Sequence, residues 1–127
     1  MVRRLKNILL EAIVESTRDG VVVVDARKRD LPVVFVNPAF EQMTGYDAEE
    51  IAAGGLSRLQ GDDRRQRAIK EMRDAIDAGR TCEVLLRNYR KNGQLFWNQL
   101  RLVPVEDDGE LAWWVRSAWI RNFFLMV

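Results

Sequence analysis

The chain has 127 residues, 47% of them apolar and 31% charged, which suits one soluble domain with a sizeable core rather than two. A net charge of +1 gives no bulk electrostatic case for nucleic acid or an anionic membrane as partner. The complete lack of histidine excludes histidine-ligated haem, most zinc sites and histidine-based acid–base catalysis.

Leu5, Ile8, Leu9, Ala12 and Ile13 recur at helical spacing and predict an amphipathic helix over residues 4–16. The apolar run behind Arg3, Arg4 and Lys6 is short and is broken by Glu11, so it does not read as a signal peptide. No stretch approaches the roughly 20 apolar residues that span a bilayer. Asp19-Gly20 makes a turn, and VVVVDA (Val21–Ala26) reads as a short strand buried on both faces. The polar run Arg27–Asp30 connects it to a second strand, LPVVFVN (Leu31–Asn37), so the two pair as a hairpin.

Asn37-Pro38 starts a helix, with a capping side chain followed by a proline whose missing N–H costs nothing there. That helix carries Phe40 and Met43 and stops at Gly45; Asp47 caps a second short helix through Glu49, Glu50 and Ile51. AAGGLSRLQGDD reads as irregular. A longer helix over residues 64–78 follows, with Ala68, Ile69, Met72, Ala75 and Ile76 as its apolar stripe and Gly79 as its end. Strands then take over: CEVLLRNYR (Cys82–Arg90), a turn at Lys91-Asn92-Gly93, QLFWNQLRLVPV (Gln94–Val105), a turn at Glu106–Glu110, and LAWWVRSAWI (Leu111–Ile120). This α+β order predicts one five-stranded antiparallel sheet with helices on one face.

The basic clusters Arg27–Arg29 and Arg64–Arg67, and the acidic pairs Asp62-Asp63 and Asp107-Asp108, read as solvated turns or helix faces. Cys82, the one cysteine, has no partner for an intramolecular disulfide, and a reduced cytoplasm is the default compartment. With no nucleophile–base pair and no metal cluster, the chain does not read as an enzyme.

FVNPAFEQMTGYDAEEI (Phe35–Ile51) resembles the signature of PAS sensory domains, in which a strand delivers Asn-x-x-Phe and a later Thr-Gly-Tyr. LRNYRKNGQLFWNQL (Leu86–Leu100) resembles the paired strands of the light-oxygen-voltage (LOV) branch, and RLQGDDRRQ (Arg58–Gln66) the tail of the LOV helix motif. The resemblance covers residues 8 to 112 and is nearest to short bacterial LOV proteins. It implies a PAS fold with a bound flavin. FMN is the first expectation, with FAD, riboflavin or no cofactor left open.

An isoalloxazine ring is flat and apolar with one polar edge, and an asparagine amide can both donate to and accept from such an edge without burying a charge. By similarity, Asn88 and Asn98 hold the pyrimidine end of the flavin, and Gln60 contacts the ribityl chain. Arg73 matches the arginine that reaches the phosphate, with Arg64 a weaker candidate. Val22, Val24, Leu59, Leu100 and Leu102 are the implied apolar wall. The plain reading of the same residues makes the asparagines partners of backbone groups, Gln60 a helix cap, Arg64 and Arg73 solvated helix residues, and Asn37 a helix cap.

The sequence also departs from the LOV pattern. The family's adduct-forming cysteine stands four residues before its glutamine, and counting back from Gln60 gives Leu56. The asparagine before it then becomes Gly55 and the arginine after it Ser57, with Arg58 in a usually aromatic position. A one-residue slip instead puts Ser57 at the cysteine and Arg58 at the arginine. Neither register supplies a thiol. In the last strand Ala118 or a neighbour replaces the glutamine that senses the flavin.

The expectation is therefore a flavin-binding LOV-like sensory module without cysteinyl-adduct photochemistry: a light or redox sensor fragment, or a flavin-based fluorescent protein derived from one. The alternative is a PAS interaction module without flavin. A homodimer through the N-terminal helix or the outer sheet face is expected, with neither nucleic acid nor membrane as partner. The expected divisions are the helix at 1–18, the core at 19–122 and an apolar tail at 123–127.

Overall fold

Residues 2–121 are described by the computed structural model; the expected helices and strands form in the expected order, and the stretch expected to be irregular instead carries the end of a helix and a short 3₁₀ turn. The expected apolar tail at Phe123–Val127 lies outside the described residues. Helix α1 spans Val2–Ser16, and strands β1 (Gly20–Asp25) and β2 (Val33–Val36) form the first hairpin. Three short helical pieces follow: α2 (Pro38–Thr44), α3 (Ala48–Gly54) and a 3₁₀ turn at Leu56–Gln60. Then come α4 (Arg67–Ala78) and the strands β3 (Cys82–Tyr89), β4 (Leu95–Asp107) and β5 (Glu110–Ile120). The strands form one antiparallel sheet in the order β2-β1-β5-β4-β3. This is the α+β PAS architecture that the element order predicts.

Burial differs from expectation in one strand. β1 is not buried on both faces: Gly20, Val22 and Val24 are buried, whereas Val21, Val23 and Asp25 are only half-buried. The helices cover one face of the sheet, so even its inner strands alternate. β5 alternates too, with Ala112, Trp114 and Ala118 buried and facing the helices. Trp114, Ile51, Leu86, Leu100 and Leu102 are among the most deeply buried side chains of the core.

Asn37 joins four pieces of chain. Its fully buried amide accepts from Phe40 N at 3.0 Å and Val21 N at 2.8 Å. It donates to Val14 O at 2.9 Å and Asp19 O at 3.0 Å. It is thus the expected cap of α2 and also the tie between α1, β1 and the core. α1 itself buries no residue.

α4 begins at Arg67, three residues after the expected start at residue 64, and keeps the whole of its expected apolar stripe. Gln66, at the residue before the helix, does not cap it. Its side chain turns to the edge strand β3, accepting from Arg87 N at 2.8 Å and donating to Arg87 O at 2.8 Å and Asp63 O at 2.9 Å. The β4–β5 turn tightens on Asp108 (φ 52) and Gly109 (φ 78), two successive left-handed residues that match the twist of the paired strands.

Candidate functional site

A cavity of about 610 Å³ opens between the inner face of the sheet, the 3₁₀ turn and α4, a size usual for a small-molecule site. The sheet contributes Val24, Leu102, Trp114 and Arg116, and α4 contributes Ile69, Met72, Arg73 and Ile76. The chain from Ala52 to Ser57, together with Gln60, closes one side, and Leu31–Val33 closes another. Gly55 lets the chain pass from α3 into the 3₁₀ turn: its φ of 78° and ψ of 166° lie in a region essentially reserved for glycine. The position where the LOV resemblance places an asparagine is therefore built around a missing side chain.

Six of the residues singled out from sequence line this cavity: Leu56, Ser57, Gln60, Arg73, Val24 and Leu102. The Gln60 amide and the Ser57 hydroxyl make no hydrogen bond to any described residue. Arg73 stands exposed on α4 at the mouth.

The other candidates lie elsewhere. Val22, Leu59 and Leu100 are buried in the core behind the wall. Arg64 is exposed and turns back on its own loop, donating from Nε to Gly61 O at 3.1 Å. Arg58 also turns away from the cavity. It donates to Glu50 O at 2.8 Å and lies 4.9 Å over the Tyr46 ring.

Asn88 and Asn98 are buried on β3 and β4, beyond the apolar end of the cavity lining. Four residues separate Asn98 from Leu102 along β4, about 13 Å. Asn98 Nδ2 donates to Asn88 Oδ1 at 3.0 Å, and Asn88 Nδ2 donates to Arg87 O at 3.0 Å. Among the described residues Asn98 Oδ1 has no hydrogen-bond partner, a costly state for a buried acceptor. The two amides thus form a polar island that the protein's own groups leave unfinished.

Two features escape the sequence reading. Asp63 is not merely a solvated turn residue. It accepts from Arg87 Nε at 2.6 Å and Nη2 at 2.9 Å, and from the Tyr89 hydroxyl at 2.8 Å. Those hydrogen bonds, Arg87 first, hold its carboxyl down at about 2. Arg116 is the second: a half-buried charged side chain between the buried Trp114 and Ala118 of β5, lining the cavity. Strand alternation through Ala112, Trp114, Arg116 and Ala118 contains that signal. Cys82 does not line the cavity; it is half-buried at the start of β3, and burial pushes its thiol up.

Comparison with known proteins places this geometry. The PAS domain profile matches residues 18–115. The chain is 42% identical over 96 residues to the blue-light photoreceptor of Listeria monocytogenes, covering 76% of this chain and 38% of that protein. The chain spans 16% to 38% of the length of eight curated relatives that it matches. The structure of an RNA-binding light-oxygen-voltage receptor superposes with a TM-score of 0.86 at 30% identity, over 94% of this chain and 33% of that one. The LOV domain of the Erythrobacter litoralis EL346 blue-light-activated histidine kinase superposes with a TM-score of 0.75 at 31% identity, over 82% of this chain and 96% of that domain.

Proposed function

The chain belongs to the PAS family, in its light-oxygen-voltage branch, and on that premise we propose that it is a flavin-binding sensory module, with FMN as the first candidate, whose response does not run through a cysteinyl adduct. The observation that carries the reading is the buried Asn88–Asn98 pair with its unpartnered Oδ1. A ring N–H presented to that oxygen completes the pair, and the apolar cavity accepts the body of the ring system. The chemistry of this donor set suits the polar edge of a flavin, while the cavity lining itself ends short of the two amides.

In this reading Asn88 and Asn98 orient the polar edge, while Val24, Leu56 and Leu102 exclude water from the ring faces. Gln60 offers a free amide to a polyol chain, and Arg73 offers a cation to a phosphate at the mouth. A bound flavin supplies absorption of blue light and one- or two-electron redox chemistry. Leu56 and Ser57, which line the cavity in the two registers considered, carry no thiol. Cys82 is the chain's only cysteine and lies outside the cavity lining. That arrangement supports an emissive, adduct-free flavin, the behaviour of a redox sensor or a fluorescent module.

The test is absorption and emission of the purified protein before and after incubation with FMN and desalting, followed by illumination. Retained flavin with green emission and no reversible bleaching of the blue band is the expected outcome. Reversible bleaching into a near-ultraviolet species overturns the adduct-free part. A colourless protein that refuses FMN overturns the flavin itself and leaves the interaction module.

The homodimer contact is proposed at α1, at residues 1–18 ahead of the core at 19–122. Leu5, Ile8, Leu9, Leu10 and Ile13 are 52–60% exposed there. A lone helix of this length is marginal in water unless its apolar face is covered. A two-fold partner helix covers it symmetrically. Leu9→Glu should convert a dimer to a monomer by light scattering on a sizing column; an unchanged mass would remove α1 from the interface. No helix among the described residues is long and apolar enough to cross a membrane, and a cytoplasmic setting is proposed with the sensory role.

A further inference from the structure

Two non-glycine residues among the described ones hold a left-handed φ: Asp108 at 52° and Leu31 at 48°. The short polar side chain of an aspartate tolerates this region, whereas a leucine rarely adopts it. Leu31 also precedes Pro32, whose ring pushes the residue before it towards extended backbone. Its conformation is therefore strained on two counts, and such strain persists only where the surrounding contacts impose it.

Leu31 N donates to Lys28 O at 3.1 Å, which closes a tight turn over residues 28–31. The half-buried Leu31 side chain packs against the core and forms part of the cavity wall, which Arg73, Ile76 and Asp77 line from α4. The chain is pinned on both sides of the turn. Ala26 N donates to Ala112 O and Asp25 N to Pro32 O, both at 2.9 Å. The Arg27 guanidinium pairs with Asp107 at 3.1 Å and lies 5.0 Å over the Trp113 ring. Between these pins Lys28, Arg29 and Asp30 are exposed, and their side chains form no hydrogen bond or ion pair with any described residue. One backbone hydrogen bond and one half-buried leucine thus hold the turn against the preference of its own backbone.

We propose that residues 28–31 are a strap that gates the cavity. In the closed state Leu31 completes the wall at the expense of its backbone. In the open state Leu31 relaxes to extended backbone, the bond to Lys28 O breaks, and the side chain leaves the wall, so that a ligand enters or departs past it. The strain brings the two states close in free energy, and the pins at Ala26 and Pro32 keep the opening local, without unfolding of the sheet. The inference rests on the cavity being the ligand site proposed above, and not on the ligand being a flavin.

The test combines amide hydrogen exchange of the ligand-free chain with iodoacetamide labelling of a cavity thiol. That thiol is Val24→Cys, at a buried position of the lining, in a Cys82→Ser background that leaves no other cysteine. In the parent, Leu31 N–H should exchange about a hundredfold or more faster than Asn37 N–H, which bonds Val21 O at 3.0 Å on the same hairpin, after correction for intrinsic rates. Asparagine visits the left-handed region readily, so Leu31→Asn relieves the strain and should slow both exchange at residue 31 and labelling by about threefold or more. Leu31→Gly empties that part of the wall and should speed labelling by about tenfold or more. If the glycine variant does not fold, Leu31→Ala stands in with the same expectation. A leucine that serves only as wall gives faster labelling in both variants, because both lose its apolar side chain, and that result overturns the proposal. Labelling unchanged in either variant, or Leu31 N–H protected as well as Asn37 N–H, overturns it too. FMN uptake is read separately from the visible spectrum: a parent that refuses FMN ends the flavin reading, while exchange and labelling still decide the strap.

Discussion

Replacing Asn88 and Asn98 together by leucine separates a pair kept for a ligand from a pair kept for the fold. In the ligand-free protein the unpartnered Asn98 Oδ1 costs about 1–3 kcal/mol, against about 0.5–1.5 kcal/mol gained from the inter-amide hydrogen bond. Removing both amides at once strands neither partner. Arg87 O loses the Asn88 donor but still accepts from Gln66 Nε2 at 2.8 Å. The larger leucines add overpacking of about 1–3 kcal/mol. These contributions nearly cancel, so urea unfolding of the ligand-free double variant should lie within about 2 kcal/mol of the parent. FMN affinity should fall about fivefold to a hundredfold, the loss of two amide contacts worth about 1–3 kcal/mol together. A ligand-free loss above about 4 kcal/mol would refute the reasoning, since overpacking does not supply that much and the asparagines would then be structural.

Asn37→Ala removes the α2 cap and the tie to α1 in one step, stranding two N–H donors and two carbonyls. It should cost about 2–4 kcal/mol by urea unfolding, a large share of the stability of a domain this size. Asp63 supplies a pH dependence. Its carboxyl titrates near 2 rather than 3.8, so its contribution is present above about pH 4 and is lost as pH falls from there through about 2. Urea midpoints across that window should fall more steeply for the parent than for Asp63→Asn; parallel slopes would argue against the Arg87–Tyr89 contacts.

Much of the fold is readable because the signals are local. Alternation along β3 to β5, the Asn37-Pro38 start and the glycine stops at Gly45 and Gly79 each act within a few residues. The misreadings come from contacts between residues far apart in sequence. The start of α4 is set by Gln66 and Asp63 reaching Arg87, more than 20 residues away, which no periodicity encodes. The cavity lining is legible to the same extent: Gln60 and Arg73 share it, but Arg58 and Arg64, near Gln60 in sequence, turn to other partners. Arg116 escaped the sequence reading: it falls on the inner face by alternation with Trp114 and Ala118, but what the helices bring opposite it is not encoded along β5.

β3 closes one side of the sheet, and its outward N–H and C=O groups are a template on which a foreign strand can add. At Arg87 that template is already occupied. Gln66 offers one donor and one acceptor to the strand, the same pair a neighbouring peptide unit would bring. A single side-chain amide thus counterfeits one residue of a sixth strand. Another molecule seeking to extend the sheet there must first evict it, which makes Gln66 a guard against self-association and fibril growth along that edge.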